Sequence, residues 1–326
     1  MGAVVGDALG APLEGHRGPV PPSRLTYLED DEGSGSPLRY TDDTAMTMAL
    51  AGSLVGCAGL DQDHLARCFG AAFKIDPDRG YGAGTADLLA RVAAGARWQE
   101  AVSDQFGGAG SLGNGAAMRV APVALYSCGD LLRVGELARR SAAVTHAHPA
   151  AIEGAVAQAV AVALALAEHS GVPLDRSGFL DGVVGAVAPG DTATSLRALT
   201  LLVRDEDRLR PGVVASVTGT GVAAHESVPA ALAAFLVRPG SVAEAVRFAI
   251  SLGGDTDTIA SMAGAIAGAY HGAARIPRQW MDRVEGVHAM TALADRLHQG
   301  AQASARAGTT RYGAFLASGH PRGWPT

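Results

Sequence analysis

The stretch Ser251-Leu-Gly-Gly-Asp-Thr-Asp-Thr-Ile-Ala-Ser-Met-Ala-Gly-Ala-Ile-Ala-Gly-Ala-Tyr270 decides the fold class. From Ile259 onward it reads as a helix, with small residues three and four apart at Ala260, Gly264, Ala267 and Gly268;. On a helix that spacing makes one smooth face, along which a second helix can lie close. Working outward, Ala-rich or helically spaced apolar stretches predict further helices over Ala45–Gly56, Leu65–Phe73, Thr85–Ala94, Asn114–Ser127, Leu131–Thr145 and Ala150–His169;. Others follow over Ser195–Val203, Pro211–Ala223, Val228–Leu236 and Val242–Ser251. Asp61 is placed to cap the helix that carries Leu65 and Phe69. Ser241-Val-Ala-Glu244 reads as a capping box;. No alternation of β-branched residues lasts long enough to predict a sheet. The expected fold is all-α, a compact bundle of many short helices in one domain over residues 1–326, without a linker or an internal repeat;.

Composition narrows the function classes. Hydrophobic residues make up 48% of the chain and aromatics only 5%, so the core must be built from small aliphatics. The net charge of −6 offers no basic field, and no stable nucleic-acid partner is expected;. The three cysteines, Cys57, Cys68 and Cys128, lack zinc spacing and fit a reducing compartment;. The N-terminus carries Asp7 and no positive region, unlike a signal peptide;. The most apolar run, Ala155–Ala167, reads as too short to cross a bilayer;. These features lead to the expectation of a cytoplasmic monomer with no membrane partner.

Two clusters of acids and threonines stand out. Thr41-Asp42-Asp43-Thr44 precedes one apolar helix, and Asp255-Thr256-Asp257-Thr258 follows Gly253-Gly254 and precedes another. One reading is a helix N-cap, since Thr and Asp accept hydrogen bonds from free amides. The other is a cation site, since the clusters together offer four carboxylates and several hydroxyls, all hard oxygen donors suited to Mg²⁺, Mn²⁺ or Ca²⁺;. Gly107-Gly-Ala-Gly-Ser-Leu-Gly-Asn-Gly115 has five glycines in nine residues before a helix. It reads either as a flexible loop or as a cradle of amides for phosphate. His146, in Thr145-His146-Ala147-His148-Pro149, is either a donor to an anion or a structural histidine. Alone, Glu14 reads as a solvated acid opening the long Pro- and Gly-rich segment Gly15–Arg39, which includes Glu29-Asp-Asp-Glu32;.

Taken together, Gly6-Asp7-Ala-Leu-Gly10 with Glu14, Tyr40-Thr-Asp-Asp-Thr44, Ser111-Leu-Gly-Asn-Gly-Ala-Ala-Met-Arg119, Thr145-His146 and Ser251-Leu-Gly-Gly-Asp-Thr-Asp-Thr258 resemble the ADP-ribosylglycohydrolase family along nearly the whole chain. Asp76-Pro-Asp-Arg-Gly-Tyr-Gly-Ala-Gly84 and Gly221-Val-Ala-Ala-His-Glu-Ser-Val-Pro229 look like its branch that cleaves serine-linked and polymeric ADP-ribose, which also takes O-acetyl-ADP-ribose. The resemblance implies an orthogonal multi-helix bundle with a binuclear metal cleft. It implies two Mg²⁺, or Mn²⁺, held by Thr41, Asp42, Asp43, Asp255, Asp257 and Thr258. Glu14, Asp42 and Asp257 would carry the chemistry, and Glu14 matches a mobile-flap glutamate. Gly110, Ser111, Leu112, Gly113, Asn114 and His146 would hold the diphosphate and distal ribose. Phe106 matches an aromatic that stacks on adenine, whereas Leu112 stands where the branch has a second aromatic, which costs a stacking contribution of about 0.5–1.5 kcal/mol. The implied partners are ADP-ribose and ADP-ribosylated proteins or peptides. The family's first helix begins before the position of Met1, so the resemblance also implies residues upstream.

Overall fold

The computed structural model describes residues 1–28, 37–127, 129–168, 173–203 and 210–317, with side chains to residue 306. The acidic run Glu29–Glu32 and Cys128 lie outside them. The described residues form seventeen α-helices joined by loops and 3-10 turns, with isolated bridges but no strand. In chain order they are α1 (Gly2–Gly10), α2 (Asp42–Gly56), α3 (Gln62–Ile75), α4 (Ala83–Ala93), α5 (Trp98–Ser103) and α6 (Gly115–Met118). Next come α7 (Ala121–Tyr126), α8 (Leu131–Ala143), α9 (Pro149–Ala167), α10 (Arg176–Ala186), α11 (Asp191–Val203) and α12 (Pro211–Thr218). The chain continues through α13 (Ala224–Val237), α14 (Val242–Ser251), α15 (Thr256–His271), α16 (Arg278–Arg283) and α17 (Val287–Ala317).

The organising contact is α1 against α15, the most extensive pairing of helices in the molecule. The smooth face of α15 meets a matching face on α1, where Gly2, Gly6 and Gly10 recur every fourth residue. A Cβ on Gly6 would lie 2.1 Å from the Ala260 carbonyl oxygen, and one on Gly10 would lie 2.4 Å from that of Thr256. No side chain fits between these backbones. Spacing and propensity do not predict α1, because three glycines in nine residues are poor helix formers; only the family resemblance implies a helix at this end;. Packing on α15 overrides that propensity.

Two predicted helices are shorter than their patterns indicated. Asn114–Ser127 is broken into α6 and α7 at Arg119-Val120. Pro122 lacks an N–H and its ring crowds the carbonyl four residues back, so the helix stops and restarts with Pro122 in its first turn;. Pro211–Ala223 ends at Thr218, where Gly219 turns with φ +74° and sends the chain away as a loop;. The segment after Glu14 is not one featureless loop. It contains 3-10 turns at Pro22–Arg24 and Thr26–Leu28.

The core consists mainly of buried Ala, Val and Leu from α9, α13, α14 and α15, in accord with the composition. The apolar run Ala155–Ala167 belongs to α9, which at 19 residues is long and apolar enough to cross a membrane by length and composition. Length therefore does not set α9 apart from a membrane helix. Its burial does, since 72% of its most apolar window lies inside the protein against α8, α13 and α15. Capping follows the sequence at two helices: the Asp61 side chain accepts the His64 amide, and Ser241 accepts that of Glu244.

Candidate active site

The tight α1–α15 pairing sets the geometry of the site. Beside Gly6, α1 carries Asp7, which is fully buried and reaches the start of α2. Its carboxylate accepts the amides of Thr41 (3.0 Å) and Thr44 (3.1 Å) and the Thr44 hydroxyl (2.5 Å). Asp7 thus ties the first acid cluster to the helix that is welded to the second. Tyr40 and Arg79 hold the same end from outside. The Arg79 guanidinium lies 3.9 Å from the Tyr40 ring centroid and pairs with Asp76 and Glu285, while its carbonyl accepts the Asp42 amide.

The second cluster is shaped by its glycines. Gly253 and Gly254 both adopt positive φ, +76° and +75°. A Cβ on Gly254 would lie 2.0 Å from the Thr220 carbonyl oxygen. That same oxygen accepts the Asp255 amide at 2.8 Å. Gly254 also exchanges backbone hydrogen bonds with Gly15 (2.8 Å) and His16 (2.9 Å), which docks the Glu14 segment beside Asp255. Ligand atoms from Glu14, Asp255 and Asp257 lie within 4.8 Å of one another.

These elements line a single cavity of about 610 Å³. Glu14, Asp42, Asp43, Asp255, Asp257 and Thr258 stand on its walls. So do Phe106, Gly110, Ser111, Leu112, Gly113, Asn114 and His146. Of the residues singled out from sequence, Thr41 does not line it. Its Oγ1 accepts the Asp43 amide at 3.3 Å, which is the N-cap reading;. Thr258 donates to Asp43 across the clusters at 3.3 Å.

Burial and crowding dominate the electrostatics. Asp257 is pushed up to about 10, first by burial and then by the charge of Asp255. Asp42 rises to about 8 from burial and the charge of Asp7. Asp43 is held well above the usual carboxylate range for the same two reasons. Glu14 is raised by partial burial and by Asp255. Two carboxylate oxygens, Asp43 Oδ2 and Asp257 Oδ1, are buried with no hydrogen-bond partner. A buried polar atom without a partner needs an explanation. Crowded hard oxygen donors of like charge, two of them orphaned, fit a divalent cation.

The glycine loop is held in place and is not loose. Phe106 and Gly107 turn with φ +50° and +67°, and Phe106 projects 65% exposed at the rim. Its ring passes over Gly84, where a Cβ would lie 3.1 Å from Cζ. Leu112 and Asn114 are bonded through backbone to Ala224 and Val222. The Asn114 amide reaches Ser227 at 3.0 Å and Asp255 Oδ2 at 2.6 Å, so the loop braces the second acid cluster directly.

Sequence reading quotes Asp7 and Val222 within motifs of the resemblance but assigns neither a place in the site. Asp7 follows Gly6, and the four-residue spacing of Gly2, Gly6 and Gly10 was the available signal for a buried helix face beside it. Val222, 65% exposed on the rim, carried no local signal, because only the cross-chain pairing with Asn114 brings it there.

Comparison with known proteins identifies the family. A family model described as ADP-ribosylglycohydrolase matches residues 1–307. The chain is similar to ADP-ribosylhydrolase ARH3 of Mus musculus, with 39% identity over 91% of this chain and 89% of that protein. It is more distantly similar to ADP-ribosylarginine hydrolase Tri1 of Serratia proteamaculans, with 25% identity over 91% of this chain and 77% of that protein. A solved structure titled ADP-ribosylglycohydrolase-related protein complex superposes with a TM-score of 0.67 at 27% identity, covering 92% of this chain and 95% of the other. On the match to the family model over residues 1–307 and the shared fold, the chain belongs to the ADP-ribosylglycohydrolase family of glycosidic-bond hydrolases.

Proposed function

We propose that this enzyme removes ADP-ribose from serine side chains of modified proteins by hydrolysis at the anomeric carbon of the distal ribose, and that it also accepts poly-ADP-ribose and O-acetyl-ADP-ribose. The observation that carries this reading is the single cavity in which both acid clusters meet the glycine loop. The branch assignment is supported by the higher identity to ARH3 than to the relative named for arginine.

Asp42, Asp43, Asp255, Asp257 and Thr258, with Thr41 at the edge, are the residues to hold a pair of Mg²⁺ ions, with Mn²⁺ an alternative for the same oxygen donors. Bound there, such ions supply Lewis-acid polarisation of ligand oxygens. The protein's own residues do the rest. The amides of Ser111 and Leu112, in the loop Gly110–Asn114, and the His146 ring receive the diphosphate and ribose. Phe106 offers one stacking face to the adenine, with Leu112 and Val222 as apolar walls. The carboxylates stabilise positive charge as the anomeric carbon gains oxocarbenium character. Glu14, raised by its surroundings, is the candidate to pass a proton to the leaving oxygen, or to gate the cavity by swinging away;.

The test is release of free ADP-ribose from matched peptides modified on serine or on arginine, with Mg²⁺ and with EDTA. Metal-dependent release from serine alone is expected. Release from arginine alone would overturn the branch, and binding without release from either would make the protein a reader of ADP-ribose.

A further inference from the structure

Arg119 is among the largest fully buried side chains, and among the described residues it faces no carboxylate within ion-pair distance. A buried guanidinium is costly unless its donors are used. Here the Phe69 ring lies 4.3 Å from its carbon, Nη2 donates to both the Ser141 carbonyl (3.2 Å) and the Thr145 hydroxyl (2.7 Å), Nη1 reaches the Met46 sulfur (3.9 Å), and Nε is buried without a partner. The Thr145 hydroxyl in turn lies 2.7 Å from His146 Nδ1. His146 lines the cavity, and a Cβ on Gly115 would lie 3.1 Å from its Nε2, so the ring is wedged against the glycine loop.

The direction of these bonds follows from donor inventory. A guanidinium only donates, so the Thr145 oxygen accepts from Arg119. The hydroxyl proton then needs an acceptor, and the partner the structure gives it is His146 Nδ1. A ring that accepts at Nδ1 carries its own proton at Nε2. We propose that Arg119 and Thr145 are positioning residues that lock His146 in the Nε2–H tautomer, so that this N–H is a fixed donor to an acceptor oxygen of the ligand in the cavity. Burial, and then the charge of Arg119, push the imidazole down to about 3, so it stays neutral at ordinary pH and the tautomer is what matters. Arg119 lies at the break between α6 and α7, where it follows α6 directly and reaches Thr145. The ligand's identity rests on the functional reading above, whereas the relay itself does not.

The test is the ¹⁵N spectrum of the histidine rings, with His146 assigned by loss of its signals in His146→Gln, alongside calorimetric binding of ADP-ribose. Wild type should show His146 protonated at Nε2. Thr145→Val and Arg119→Met should blur that preference, Thr145→Val should weaken ADP-ribose by about tenfold, as one lost hydrogen bond implies, and Thr145→Ser should restore both. A wild-type ring protonated at Nδ1 overturns the relay with no variant needed, even if Thr145→Val fails to fold. Weakened binding in Thr145→Val with the tautomer unchanged also overturns it, since that is a merely structural effect. A wild type that has the Nε2–H tautomer and binds no ADP-ribose overturns the substrate reading instead.

Discussion

The two acid–threonine clusters look alike in sequence and are built differently. At the start of α2, Thr41 caps the helix through its own hydroxyl, and Asp7 supplies further acceptors from α1. At the start of α15, Asp255 occupies the N-cap position, yet its side chain makes no capping bond. It is turned by Gly253-Gly254 and bonded to Asn114 from a distant loop. The first cluster is a helix cap that leaves two carboxylates, Asp42 and Asp43, for the cavity, and the second gives up its cap to face it. Local motif alone does not separate these cases. What separates them is which neighbour occupies the free acceptors.

The largest test of that difference is Asp257→Ala. Turnover should fall by at least about a thousandfold, and the rise in melting temperature on adding Mg²⁺ should vanish, because metal stabilises only the state that binds it. Without metal, the variant should melt no lower than wild type, since it removes a carboxyl group whose charged form is disfavoured first by burial and then by Asp255. Wild-type turnover in this variant would refute the site assignment. Next, Gly254→Ala should cost at least about 3 kcal/mol in denaturant unfolding, because it combines a positive φ with a backbone clash;. A smaller loss would mean that the second cluster is not held by its glycine turn.

Asp7→Ala should cost about 2–3 kcal/mol, because it leaves the buried donors of Thr41 and Thr44 without acceptors;. It should also weaken metal binding by loosening the first cluster, which calorimetry would measure. The smallest effect sharpens the comparison most. Thr41→Ala should cost about 1 kcal/mol as a lost cap. Asp255→Ala, measured without metal and in an Asn114→Ala background that removes its one bond to the loop, should show no capping loss at all. Equal losses at the two positions would erase the distinction.

Much of the site was legible because polar residues are conspicuous in this chain. With charged residues at only 18%, four aspartates beside apolar helices invite a chemical reading. The glycine loop and His146 were visible for similar reasons. The helices read best where alanine and regular spacing agree, as in α9 and α15, and Val242–Ser251 matches α14 in full. Reading failed where tertiary contact opposes local preference. In α1, glycines that disfavour a helix are required by the backbone of α15. Between α6 and α7, one proline splits an otherwise continuous pattern.

By itself, the sequence determined the all-α class and the alanine-rich core and brought out four aspartates as hard oxygen donors, because these depend on composition and on spacing along one chain. Only the tertiary structure decided that Asp7 binds the two halves of the site together, that Asn114 and not a helix amide takes Asp255, and that Arg119 backs Thr145 and His146. Those pairings join residues 26 to 141 positions apart. No periodicity in a single helix encodes a hydrogen bond across such a gap. It exists only once the small-residue faces have closed and left those groups no water to turn to.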